Sequence, residues 1–302
     1  MTNLQFLRLF VPVAPAMSGQ LIASQDGTRI WADASGTPGK PPVVFIHGFL
    51  GSGMNWVKQF DDKRLLDNLY MIRYETRGHG RSDQPESEDA YVSAKHAEDF
   101  QAVCAAFNVT KPVVVSWSLG GAIVPDVLSR YGASPLPVAG HVMINALAWI
   151  SMLQEIHKAK EATGMAFIQI RSPHTTEFQN ALKGYISALV APGNSITFED
   201  QCAWMGSAAG MNVAAKTLSL SRTQDETALV SVASELPILC IQGADDVLVD
   251  VEKHEKFMKE HFGDNLDYRR VPGAGHAPFY ELPEVVNLNI LQFVRRIYSS
   301  TS

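Results

Sequence analysis

The run Val113-Val114-Val115-Ser116-Trp117-Ser118-Leu119-Gly120-Gly121 constrains this chain more than any other. Three β-branched residues spell a buried strand, a serine follows among small residues, and a helical pattern starts at once. A strand that turns into a helix over so few residues drives the Ser118 side chain outward, where a hydroxyl can attack a substrate. Serine is a weak nucleophile until a base takes its proton. If Ser118 is more than a helix cap, the chain must also supply a base, an acid to orient it and donors for an oxyanion. Ser116 is the competing hydroxyl within the run. Pro125 falls inside the expected helix, where its missing N–H and its crowding of the Gly121 carbonyl predict a kink.

Chain order supplies the missing groups. Ile238-Leu239-Cys240-Ile241-Gln242 reads as a buried strand and runs into Gly243-Ala244-Asp245-Asp246-Val247-Leu248-Val249. Tyr268-Arg269-Arg270-Val271 runs into Pro272-Gly273-Ala274-Gly275-His276-Ala277-Pro278. A serine, an aspartate and a histidine thus each follow a strand, in that order. Upstream stand Val43-Val44-Phe45-Ile46-His47-Gly48-Phe49 and Tyr74-Glu75-Thr76-Arg77-Gly78-His79-Gly80-Arg81-Ser82-Asp83.

In these four signals the chain resembles the α/β-hydrolase superfamily, and its local motifs look like those of the serine esterase and perhydrolase (cofactor-free haloperoxidase) branch. The resemblance covers roughly residues 20–146 and 234–298. It implies a mostly parallel sheet with helices on both faces, with a core of residues 1–146 and 234–302 and a helical cap inserted over 147–233. It implies Ser118 as nucleophile and His276 as base. The acid it implies is Asp246, three residues after the strand-terminal Gly243, with Asp245 as the neighbouring alternative. The segment Asn145-Ala146-Leu147, where some relatives carry the acid instead, has no carboxylate. Backbone N–H groups of Phe49 and Leu119 become the expected oxyanion donors. His47 is expected to brace its loop, and Arg77, His79 and Asp83 to fix the loop after the fourth strand. Ser116 departs from the family pattern, which usually has glycine there.

The rest of the chain alternates strand and helix patterns. Gln20 to Ser24 and Thr28 to Ala34 read as a hairpin turning at Asp26-Gly27. Tyr70 to Tyr74 and Val138 to Ile144 read as strands, Val92 to Phe107 as a helix, and Val286 to Ile297 as the apolar stripe of a closing helix. Between Asn145 and Leu236 strand signals fade. Helices are expected over Trp149 to Ala162, Glu177 to Leu189 and Phe198 to Leu220. Their apolar side chains make Trp149, Met152 and Trp204 candidates for substrate contact, together with Trp56 and Trp117 from the core. His157 and His174 could reach the substrate from the cap.

Composition narrows the function further. Lys+Arg 25 against Asp+Glu 31 gives a net charge of −6, which argues against nucleic acid or an anionic membrane as partner. Three cysteines form no motif, and Cys104 and Cys240 read as small core residues. No apolar run approaches the roughly 18 residues needed to span a membrane. The first 20 residues read as a leader into the first strand, so a cytoplasmic protein is expected, with secretion left open. No histidine–carboxylate spacing suggests a metal, and no dinucleotide fingerprint follows a first strand, so no cofactor is expected. The expected partner is a small-molecule substrate, on a monomer or homodimer. The expected reaction is hydrolysis of a carboxylic ester or lactone of modest, partly apolar character. Carbon–carbon bond hydrolysis, acyl transfer and perhydrolysis use the same triad, and a receptor-like binder with a slow triad is a further alternative. A serine at 118, where epoxide hydrolases and haloalkane dehalogenases carry a carboxylate, argues against both.

Overall fold

A computed structural model describes residues 19–157 and 175–299. Eight strands form one sheet in the order β1-β2-β4-β3-β5-β6-β7-β8. They are β1 (Gln20–Ala23), β2 (Arg29–Gly36), β3 (Pro42–Ile46), β4 (Tyr70–Tyr74), β5 (Val113–Trp117), β6 (Gly140–Ile144), β7 (Ile238–Gly243) and β8 (Leu266–Val271). β2 runs antiparallel to both neighbours, and the pairings from β4 to β8 are parallel. β5, β6 and β7 are buried along their whole length. That is why they read as near-continuous apolar runs rather than alternating ones: parallel strands in mid-sheet are covered on both faces.

The covering helices follow from their apolar stripes. Ser93–Ala106 packs against Ile123–Tyr131 and against β1 and β2. Pro283–Ser299 buries Val286, Ile290, Phe293 and Val294 and packs on β6. From β3 the chain steps outward to β4 and then returns to β5 on the other side of β3. Such a reversal opens a crevice at the carboxyl ends of the strands, which is where open α/β sheets bind ligands.

Pro125 does not kink a helix. The chain after β5 first makes a 3-10 turn, Ser118–Ala122, and becomes α-helical only at Ile123. Pro125 therefore sits in the first α-helical turn, where a missing N–H costs little. The Ala122 carbonyl nearby accepts from Gln224 Nε2 at 2.7 Å and Arg222 Nη2 at 3.4 Å.

Between β6 and β7 the described residues carry helices and no strand of the sheet. The expected first helix is short: a 3-10 turn at Ile150–Met152 and one α-turn, Leu153–Ile156, which ends at His157. There the backbone pairs with Val249 as an isolated antiparallel bridge, and Asp250 N–H donates to the Ile156 carbonyl at 2.7 Å. Thr175–Ser187 forms the second helix. The expected third is two helices, Phe198–Ala209 and Val213–Leu218. It breaks because Asn212 caps a new start, its side chain accepting from Ala215 N–H at 2.7 Å. The remainder of the first expected helix and His174 lie outside the described residues. Among the described residues no helix is long and apolar enough to cross a membrane.

Candidate active site

Ser118 follows the last residue of β5 with φ +51°. A side-chain-bearing residue rarely adopts that conformation, which costs roughly 1–3 kcal/mol and persists only where the surroundings enforce it. Close packing around the next two residues supplies the enforcement. A Cβ on Gly120 would lie 2.6 Å from the carbonyls of Ile46 and His47, and one on Gly121 2.3 Å from that of Leu147. Only glycine lets the first turn lie this close to the end of β3 and to the loop after β6. Leu147 N–H donates to the Ser118 carbonyl at 3.0 Å and pins the turn from the β6 side. Ser116 is fully buried, and its hydroxyl shares a 2.8 Å hydrogen bond with His141 Nε2 on β6. The hydroxyl that replaces the usual glycine is thereby satisfied without displacing the strand.

His276 is buried in the loop after β8, with Nδ1 2.8 Å from Asp246 Oδ2. The other carboxylate oxygen accepts from Leu248 N–H at 2.8 Å and Val249 N–H at 3.1 Å. Asn145 Nδ2, 2.7 Å away, and Gln242 Nε2, 3.3 Å away, donate to Oδ2 as well. Burial alone would raise the Asp246 carboxyl's pKa. The adjoining His276 ring and these hydrogen bonds outweigh burial and hold it below the ordinary aspartate value. Asp245 points elsewhere: its Oδ2 accepts from Gly273 N–H at 2.8 Å, and its own N–H donates to the Ala274 carbonyl. It braces the turn that leads into His276.

Asn145 was a signal visible in the sequence only as a missing carboxylate. It stands just after β6 with φ +42°, and its amide oxygen accepts from Gly243 N–H at 3.1 Å. It therefore ties the ends of β6 and β7 together while donating to Asp246.

The loop after β3 is set by His47, fully enclosed in the core. Thr76 N–H can only donate, so the His47 Nε2 that meets it at 3.1 Å is the unprotonated nitrogen. Nδ1 then carries the proton and donates to the Gly48 carbonyl at 2.7 Å. Burial lowers the pKa of this ring and keeps it neutral. In a trans peptide the C=O and the following N–H point opposite ways. Holding the Gly48 carbonyl therefore fixes the direction of the Phe49 N–H. The loop after β4 is held as expected of its residues: Arg77 binds Asp99 through two hydrogen bonds of 2.7 and 2.8 Å, Asp83 pairs with Arg29, and His79 Nδ1 meets Thr76 Oγ1 at 3.0 Å.

Ser118 and His276 line one cavity of about 460 Å³, its solvent-open mouth included, together with Phe49 and Leu119. In this structure no direct hydrogen bond joins the Ser118 hydroxyl to His276. Such contacts are often loose without substrate and tighten once it is bound. Across the cavity stand Leu153, His157, Tyr185 and Leu220 from the β6–β7 segment, and beside His276 stand Leu248 and Val249. The residues expected to contact substrate are placed differently. Trp56 is fully buried between Phe45 and Phe279. Trp117 lies beneath the site, its Nε1 donating to the His276 carbonyl at 2.8 Å. Trp204 packs on Trp117 and Tyr280, Trp149 on Phe257, and Met152 offers its sulfur to Ala148 N–H. None of these five borders the cavity, because aromatic and thioether side chains this large gain more by complete burial than a cavity wall can offer. His157 lines the cavity, and His174 lies outside the described residues. Among the described residues no group of three or more metal-ligating side chains is close enough to hold an ion.

A family model described as the alpha/beta hydrolase fold matches residues 41–283. The chain belongs to that family. A non-heme chloroperoxidase of Streptomyces lividans is 26% identical over 91% of this α/β-hydrolase and 99% of its own length. The crystal structure of esterase RhEst1 from Rhodococcus sp. ECU1013 superposes with a TM-score of 0.81 at 28% identity, covering 93% of this chain and all of that one. A protein of Mycobacterium tuberculosis named "Probable oxidoreductase EphD" is 37% identical over 125 residues. That match spans 41% of this chain and only 21% of the relative's length.

Proposed function

We propose that this α/β-hydrolase cleaves carboxylic esters or lactones of modest size through a covalent acyl-enzyme. His276 Nε2 takes the Ser118 proton as Oγ bonds to the substrate carbonyl carbon. The resulting oxyanion rests on the N–H groups of Phe49 and Leu119, each donor being worth about 2.7–4 kcal/mol at the transition state. His276 gives its proton to the leaving alkoxide as the carbon–oxygen bond breaks. Water then attacks the acyl carbon, its proton passes to His276 and on to Ser118 Oγ, and the acid leaves. Asp246 keeps the ring in the tautomer with Nδ1–H and stabilises the imidazolium that forms. The helices between β6 and β7 act as the cap over this chemistry.

The observation that carries the reading is the 2.8 Å contact of His276 Nδ1 with a deeply buried, multiply hydrogen-bonded Asp246, on a ring that shares its cavity with Ser118. Likeness to an esterase over 93% of the chain supports the same chemistry. The test is labelling with a fluorophosphonate followed by mapping of the adduct, alongside hydrolysis of an ester and lactone panel. Adduct on Ser118, absent in Ser118→Ala, is the expected result. Adduct at another residue, or none, removes the proposal.

The chloroperoxidase relative favours a second reading, perhydrolysis. In it hydrogen peroxide replaces water in the deacylation step and a peracid leaves. Peracid formed from an ester plus peroxide, at a rate that rivals hydrolysis, would distinguish it.

A further inference from the structure

Behind the expected oxyanion loop lies a second cavity of about 260 Å³, its opening included, with space at its centre for about one water molecule. It shares Leu119 with the substrate cavity and is otherwise unlike it. Thr76, His79, His96, Ser219 and Arg222 line it, together with Gly48 and Gly120, the neighbours of the two expected oxyanion donors. His79 is 2% exposed, and its Nε2 meets no hydrogen-bonding partner among the described residues. The other ring nitrogen shows which form the imidazole takes. Nδ1 lies 3.2 Å from the Arg77 carbonyl, which can only accept, and 3.0 Å from Thr76 Oγ1, so Nδ1 carries the proton. Burial keeps the ring neutral, its pKa pushed down to about 3. Nε2 is then a bare acceptor on the wall of a buried polar cavity, and an acceptor buried without a donor is costly. The lone pair disfavours an anion there, and the Arg222 guanidinium disfavours a metal cation. An uncharged donor remains, and water is the smallest. A buried water needs about two to four polar partners, which the side chains around this space can supply.

A continuous relay runs from this ring to the oxyanion loop. His79 Nδ1 meets Thr76 Oγ1, Thr76 N–H donates to His47 Nε2 at 3.1 Å, and His47 Nδ1 donates at 2.7 Å to the Gly48 carbonyl, whose peptide aims the Phe49 N–H. Resting on the ester-hydrolase reading above, we infer that the second cavity holds an ordered water hydrogen-bonded to His79 Nε2, and that His79 is thereby a positioning residue for the oxyanion donor on Phe49. The water holds the ring from the cavity side, the ring holds Thr76, and Thr76 holds His47 against the Gly48 carbonyl. Without the water one side of the ring has nothing to fix it, and the Phe49 N–H loses its aim at the place where charge develops. A donor that acts on the developing oxyanion stabilises the transition state more than the bound ester, so the effect falls on kcat rather than KM.

The first test is a crystal structure of the wild-type protein that resolves ordered solvent. A water about 2.7–3.2 Å from His79 Nε2 is expected. The second is kinetic, with an ester that the wild type hydrolyses and with active sites counted by fluorophosphonate labelling, so that misfolded protein does not enter the rate. His79→Leu is expected to lower kcat by about tenfold or more, less than the loss of a whole oxyanion donor, and to leave KM within about twofold. Affinity for a trifluoromethyl ketone, whose adduct with Ser118 carries the oxyanion, is expected to fall by a similar factor. His79→Asn keeps a polar group at the place of Nδ1 and has none at that of Nε2, so it is expected to lose most of the same activity. His79→Gln reaches the place of Nε2 and is expected to recover part of it. A wild-type structure without a water at Nε2 overturns the inference and leaves the hydrolase reading standing, and it decides the matter even where no His79 variant folds. So does full kcat in His79→Leu or His79→Asn, or a loss taken in KM alone. Wild-type protein whose Ser118 takes no fluorophosphonate is instead the failure of the hydrolase reading, and the inference falls with it.

Discussion

The turn that carries Asp246 and the helical segment facing it across the cavity are built on different terms. Asp246 accepts two backbone N–H groups from residues two and three positions ahead, and Asn145 and Gln242 at the ends of neighbouring strands donate to it as well. The two backbone contacts to Oδ1 are wholly local. The facing wall takes Leu153 and His157 from the two ends of one α-turn, Tyr185 from the helix Thr175–Ser187 and Leu220 from the turn after Val213–Leu218, segments spread over nearly seventy positions. The first construction leaves a mark in a short stretch of sequence, and the second does not. It also predicts a division of labour, in which the strand-end loops set the rate of the chemistry and the helical wall sets the choice of substrate.

The largest expected effect falls on the strand-end side. Ser118→Ala or His276→Ala is expected to lower kcat by about 10⁴–10⁶, with the double variant little worse than either single one, because the two act as a unit. Near-additive losses in steady-state assays would show that they do not. Asp246→Asn is expected to cost about 10⁴ in kcat through the wrong imidazole tautomer. Asp245→Asn disturbs only the hydrogen bond to Gly273 and is expected to cost far less. The reverse order would move the acid by one position.

The junction between the two regions comes next. Arg222 and Asp126 form a buried ion pair at 2.9 Å, joining the end of the helical segment to the helix after Ser118. Arg222→Met leaves a buried carboxylate without its cation, and urea titration should show a loss of roughly 3–5 kcal/mol. Adding Asp126→Leu should restore most of it. A double variant as unstable as the single one would mean the pair is not what matters there.

Acid sensitivity tests the strand-end side by another route. His254 donates from Nε2 to the Ala146 carbonyl, 3.1 Å away, and its Nδ1 meets the Tyr268 hydroxyl. Burial holds its pKa down to about 4, against about 6.5 in an unfolded chain. Above pH 6.5 the ring is neutral in both states. Between 6.5 and 4 the unfolded chain binds the proton and the folded one does not. The stability tied to the neutral ring is therefore whole above about pH 6.5, and on the order of 3 kcal/mol of it is lost as pH falls toward 4. His79 and His141, held near 3 by burial, act in the same direction. His254→Gln should flatten the pH dependence of the urea midpoint over this window and leave the slope due to the other buried histidines. An unchanged slope would show that His254 is not responsible.

The smallest effect belongs to the helical wall. Leu153→Ala enlarges the cavity and is expected to lengthen the preferred acyl chain. The kcat/KM ratio of hexanoate to butyrate esters should rise by about tenfold, since one methylene in an apolar pocket is worth roughly 1–3 kcal/mol. An unchanged ratio would place the acyl chain elsewhere.

The parts legible in the sequence were those written in short, contiguous stretches. Val113–Gly121 announced the strand, the sharp turn that puts Ser118 outward and the helix after it within nine residues. The alternation of strands and helices, the hairpin at Asp26-Gly27 and the Asp and His loops were legible for the same reason. The helices between β6 and β7 were misjudged in length where side chains from other elements intervened. The α-turn at Leu153–Ile156 ends where Val249 offers a backbone partner, and Asn212 starts a new helix within an otherwise continuous pattern.

By itself the sequence determined the fold family and brought Ser118, Asp246 and His276 into view, because backbone-directed chemistry depends on residues close together in the chain. Only the tertiary structure decided which side chains face the cavity. Trp56, Trp117, Trp149, Met152 and Trp204 went into the core and His157 and Tyr185 to the wall. The physical reason is that burial of apolar area is non-directional and settled by whichever neighbours the whole fold provides.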